Sequence, residues 1–178
     1  MMNYLKPFVW ICLGGLLSHC SWSQQPSLDN AIARFNHSLK NYRIQTLAAT
    51  NYRSQFQEIG LSLKLKRYKY TATWLTNNNI RPRFYLEIYS FKDIATAQKL
   101  LKKVYQSASP DFGFSKGWAY VLRYQNHLFW LNSTCVYSAA NWHKITQLLE
   151  QHLRTKPTNQ RLDKIDCKCG GGCVGDFK

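Results

Sequence analysis

Between Leu61 and Leu153 the hydrophobic pattern switches twice from a period of two to a period of three to four, and that switch limits the fold more than any other feature. In LSLKLKRYKYTATWL the apolar set is Leu61, Leu63 and Leu65, then changes parity to Tyr68, Tyr70, Ala72 and Trp74. Alternation that changes face calls for an extra residue, so a bulge or sharp bend is expected at Lys66 and Arg67. After the turn-rich TNNNIRP, RFYLEIYSF alternates through Phe84, Leu86 and Ile88, and the two runs read as an antiparallel hairpin. SFKDIATAQKLLKKVYQ then has helical spacing, with Ile94, Ala97, Leu101 and Val104 as its buried stripe and Ser90 and Asp93 at capping-box spacing.

The second round repeats the order. WAYVLRY and HLFWLNSTCVY alternate and are joined near Gln125 and Asn126, since Asn tolerates the left-handed conformation of a tight hairpin turn. Ser138 can cap a last helix in which Trp142, Ile145, Leu149 and His152 line up. Ahead of both rounds, Leu28, Ile32, Phe35, Leu39 and Tyr42 make a helical stripe that Ser27 can cap, with Asp29 in its first turn. Residues 43–60 suit either more helix or a short strand. The order α, ββα, ββα predicts a two-layer α+β fold, an antiparallel sheet of four or more strands with helices on one face.

The ends of the chain bear on compartment. MMNYLKPFVWICLGGLLSHCSWSQQ carries one cation, Lys6, then an apolar run, then small and polar residues, the pattern of a secretory signal peptide. Cleavage after Ser23 has small residues at Ser21 and Ser23; the alternative is a lipoprotein box in LLSHC with Cys20 lipidated, against which the bulky His19 stands. No later stretch approaches the roughly 20 apolar residues of a membrane helix, so no transmembrane segment is expected after processing. The expected organisation is a signal peptide over 1–23, a single globular domain over 24–153, and a polar linker with a Cys/Gly-rich tail over 154–178. The expected location is periplasmic or secreted.

Of six cysteines, Cys12 and Cys20 fall in the signal peptide, which leaves Cys135, Cys167, Cys169 and Cys173. An even set in an oxidising compartment suits two disulfides. A bond between Cys167 and Cys169, separated by Lys168 alone, would be strained, so the easier pattern joins Cys135 to Cys167 or Cys169 and closes a small ring through Cys173. The alternative makes the tail the functional part: Cys167, Cys169 and Cys173 as soft ligands for Cu(I) or Zn, or as a target for a thiol-modifying or disulfide-forming enzyme. No resident cofactor is predicted.

Charge supplies the remaining constraint. Twenty-four Lys and Arg against nine Asp and Glu give +15, which favours an anionic envelope polymer, a glycan or an acidic protein as partner. The candidate binding surface is the first hairpin, where Lys64, Lys66, Arg67, Lys69, Arg81 and Arg83 cluster with Tyr68 and Tyr70. The competing reading of the same residues is a solvated basic face over core aromatics. No G-x-S-x-G, H-E-x-x-H or phosphate-binding glycine loop occurs, so no catalytic residue is assigned. Glu87, on a strand between Tyr85 and Tyr89, is expected to pair with a cross-strand cation.

One stretch has a family likeness. EIYSFKDIATAQKLLKKV resembles the opening strand and helix of the SPOR domain, in which Ser-Phe after a strand is followed by an Ala and a Leu at the spacing of Ala97 and Leu100. The likeness covers about one tenth of the chain, and neither a second copy of the motif nor a closing strand is read in the sequence. It implies a role toward peptidoglycan in the cell envelope.

Overall fold

The computed structural model describes residues 27–48, 64–106, 117–154 and 162–177. The stretch over 1–23 expected to be a signal peptide, its Cys20 alternative, Leu61 and Leu63 lie outside the described residues. The elements are α1 (Leu28–Ser38), β1 (Tyr42–Leu47), β2 (Lys64–Ala72), β3 (Arg83–Ser90), α2 (Ile94–Gln106), β4 (Gly117–Tyr124), β5 (His127–Thr134), α3 (Ala139–Leu153), β6 (Lys164–Cys167) and β7 (Cys173–Asp176). The strands form one antiparallel sheet in the order β1-β2-β3-β5-β4-β6-β7. The α+β class and the two strand-strand-helix rounds are present, and the undecided stretch after α1 holds β1.

The expected sharing of one face holds for α1 and α3; α2 lies on the other. Ala31, Ile32 and Phe35 of α1 and Trp142, Ile145 and Leu149 of α3 pack with Tyr70, Phe84, Leu86, Leu122 and Leu131. Ala97, Leu100, Leu101 and Val104 of α2 pack with Tyr89, Val121, Trp130 and Ile165, which have the opposite parity on their strands. The topology explains this. From β3 through α2 to β4, and from β5 through α3 to β6, the chain steps two places the same way across the sheet. The two crossovers start from strands of opposite direction, so the same crossover hand puts their helices on opposite faces.

A sheet covered on both faces removes the need for a bulge in β2. The pairing runs unbroken from Lys64↔Ser90 to Thr71↔Arg83. Leu65 faces the α2 side, while Tyr68, Tyr70 and Ala72 face α1, so the apolar parity changes because the covering helix changes. The predicted capping box at α2 is also revised: Asp93 alone accepts from Thr96 N at 2.7 Å, and Ser90 Oγ instead meets His127 Nδ1 at 2.9 Å. Ser27 and Ser138 cap α1 and α3 as expected, each accepting a backbone N–H at 3.3 Å. The β4–β5 turn is two residues long, but Gln125 takes the positive φ of 54°, and Asn126 instead clamps Phe91 through both backbone and side chain.

The segment expected to be a tail supplies two strands of the sheet. Asp163, Ile165 and Cys167 alternate inward, and all three are buried. Arg123 Nε donates to Asp163 Oδ2 at 2.8 Å while Arg123 N donates to Asp163 O, so one residue of β4 anchors the segment twice. Gly170 takes φ 67° in the turn between β6 and β7, a conformation open to glycine at little cost. Phe177 packs edge-on against Tyr105 of α2 at 5.0 Å, and a side chain in place of Gly175 would collide with both rings.

Candidate functional site

The antiparallel register places directly opposed residues on one face, so β1, β2, β3 and β5 can be read in rows. On the α2 side, one row is Arg43, Thr71 and Arg83. The next is Gln45, Lys69, Tyr85 and Asn132, and a third is Leu47, Arg67, Glu87 and Trp130. Among the described residues α2 is the helix on this side, and it covers the third row from Trp130 onward. Arg43, Gln45 and Arg83 are exposed, and Lys69, Tyr85 and Asn132 are partly so.

Geometry makes this open half of the sheet positive. With strands about 4.8 Å apart and same-face neighbours about 7 Å along a strand, Arg43, Lys69 and Arg83 fall within roughly 10 Å of one another. The first two rows contain no carboxylate. In the third row Glu87 is buried, 3.3 Å from Arg67 Nε, and accepts from Tyr89 Oη at 2.5 Å. Glu87 is thus paired with the cation directly opposite it, as expected. Its charge is spent on Arg67 rather than offered at the surface.

Several of the residues singled out from the sequence lie elsewhere. Tyr70 is fully buried, stacks on Phe84 at 4.3 Å and donates to Asn36 Oδ1 at 2.7 Å. Tyr68 packs beside it against the α1-side core. Tyr70 belongs to the core and Tyr68, partly exposed, flanks it, and the hydroxyl of Tyr70 is held strongly protonated by burial. Lys66 shares their face and pairs with Asp29 of α1 at 2.5 Å, a hydrogen bond that raises its pKa. Arg81 sits in the β2–β3 loop and donates to Thr73 O at 3.2 Å. Lys64 stands opposite Ser90 at the far end of β2. Lys69, Arg83 and Arg67 therefore remain on the open face, joined by Arg43, Tyr85 and Asn132. The missed signal for Arg43 is the short alternation Arg43, Gln45, Leu47.

The cysteines pair as Cys135–Cys169 and Cys167–Cys173, with Cα separations of 5.6 and 4.0 Å. This is one of the two patterns that spacing favoured. Cys167 and Cys173 are opposed residues of β6 and β7, so the second bond closes the hairpin across its own ladder. Among the described residues no three His, Cys, Asp or Glu side chains are placed to share a metal ion. No helix among them is long and apolar enough to cross a membrane.

Fold and site together define an antiparallel α+β protein with a cystine-closed edge hairpin and a partly uncovered basic sheet face. Compared with known proteins, the chain matches no family model, no curated sequence and no solved structure.

Proposed function

We propose that this is an exported, non-enzymatic binding protein whose open sheet face holds an anionic polymer of the cell envelope. The observation that carries the reading is the carboxylate-free pair of rows bearing Arg43, Lys69 and Arg83 beside Tyr85. Guanidinium groups suit phosphate or carboxylate oxygens in two-point contacts, and an extended strand surface repeats them at a spacing a polymer can follow. Two disulfides fit the oxidising compartment that the N-terminal sequence suggests. The alternative, a tail that binds metal or exchanges thiols, requires one of those bonds to open first.

The test is retention of the protein on immobilised polyphosphate across a salt gradient, for the parent and for the triple reversal Arg43→Glu, Lys69→Glu, Arg83→Glu. Loss of three phosphate contacts should lower the slope of log affinity against log salt by about two. Reversal at Lys66, on the opposite face, should change it much less. Equal salt slopes for the triple reversal and the parent would sink the assignment.

A further inference from the structure

On the side of the sheet opposite the basic rows, the end of α1, the β2–β3 loop and the start of α3 enclose two adjoining cavities of about 530 and 400 Å³. Trp74 and Asn141 line both, so the indole stands as the partition of one cleft. Trp74 is half-buried and held edge-to-face on Tyr42 at 5.0 Å, which fixes the plane it presents. Tyr42 lines the larger cavity and Tyr137 the smaller, and their hydroxyls lie side by side. Burial holds both phenols protonated, so they are available as neutral donors and acceptors.

The remaining polar lining matches one kind of ligand. Asn41, Asn77, Asn78 and Asn141 line the cleft, and among the described residues none of their side-chain amides makes a hydrogen bond, so each can both donate and accept. Lys40 and Lys144 line the larger cavity, and among the described residues no carboxylate lines either one. A flat indole favours a ring with an apolar face, amides favour hydroxyl and acetamido groups, and two lysines favour a carboxylate. The two volumes on either side of Trp74 suit two linked rings.

We infer that this cleft binds an acidic oligosaccharide, with sugar rings on both sides of Trp74 and a carboxylate toward Lys40 and Lys144. This site is separate from the basic sheet face. The two stand or fall independently.

Titration of the folded protein with a trigalacturonate probe, followed by tryptophan fluorescence and by the indole and amide resonances of Trp74 and Asn141, tests it. Saturable binding is expected, weakened about tenfold or more in Trp74→Ala and in the surface variant Asn141→Ala. Maltotriose, neutral and of similar size, should bind more weakly than trigalacturonate, and Lys40→Gln with Lys144→Gln should remove that preference. The triple reversal on the basic face should leave this titration unchanged, which distinguishes the two sites. Binding that ignores both Trp74→Ala and Asn141→Ala, no saturable binding at all, or equal affinity for maltotriose would each overturn the proposal. Since Trp74→Ala removes a packed ring, Asn141→Ala, whose side chain is exposed, decides the case if the first variant fails to fold.

Discussion

Removing the Cys135–Cys169 bond, by Cys135→Ala with Cys169→Ala, should lower the unfolding free energy by about 4 kcal/mol, chiefly by releasing the unfolded chain. The bond joins positions 34 residues apart and closes a loop that contains all of α3. For a loop of that length the chain-entropy relation gives about 3.8 kcal/mol at room temperature. Cys135 is exposed and Cys169 partly exposed, so their truncation adds little lost packing. The Cys167–Cys173 bond spans a separation of only 6, for which the same relation gives about 2.3 kcal/mol. Cys167 is fully buried, however, so its replacement carries a packing loss of its own and makes a less clean test. Urea unfolding of the Cys135/Cys169 variant should show a lower midpoint and a steeper dependence on urea, because a chain without the cross-link exposes more surface when unfolded. Its melting temperature should fall by about 8–15 °C. A loss under about 1 kcal/mol with unchanged urea dependence would refute the reasoning. It would mean that β4–β6 pairing and the Arg123–Asp163 pair hold the last hairpin unaided.

That pair has its own expected outcome: Asp163→Leu should cost about 3–5 kcal/mol in urea unfolding by stranding the Arg123 guanidinium, and adding Arg123→Met should recover most of it. Glu150 is pushed up by burial, but hydrogen bonds from Lys164 and Tyr120 and the charge of Arg154 outweigh this and hold it below its ordinary 4.5. Its contribution is therefore present above pH 4.5 and lost as pH falls below it, so Glu150→Gln should flatten the acid limb of a stability-against-pH curve. Burial, aided by the charge of Lys66, lowers the pKa of His127 from 6.5. The unfolded chain then binds the extra proton first, so stability should rise with pH in the window just below 6.5, and that slope should shrink in His127→Gln.

Alternation and helical spacing made β3, β4, β5 and the three described helices legible, because each buries a stripe that repeats with its own geometry. Tyr70 shows where the same signal misleads. A tyrosine among lysines looks like a binding residue in the linear sequence, but its register opposite Phe84 and beneath α1 makes it core. Lys66, one residue from Arg67, points to the other face and meets Asp29, a partner 37 positions away that no local pattern could supply. Arg43 was hidden for the converse reason. Its strand lies at the sheet edge, with four of six residues exposed, so its hydrophobic alternation is weak.

The amino-acid sequence by itself determined the α+β class, the elements with strong one-sided patterns, and a cysteine set whose parity and spacing favour two disulfides. Those follow from local periodicity and from bond geometry, which need no knowledge of neighbours. Only the tertiary structure decided that α2 and α3 lie on opposite faces, because that depends on the direction of the strands each crossover leaves. Only it decided that the C-terminal cysteines close an edge hairpin rather than hang as a tail, because Ile165 and Cys167 find their burial against β4 and α2. The cations that share a surface were likewise settled by register, which sets Arg43, Lys69 and Arg83 together and turns Lys66 away.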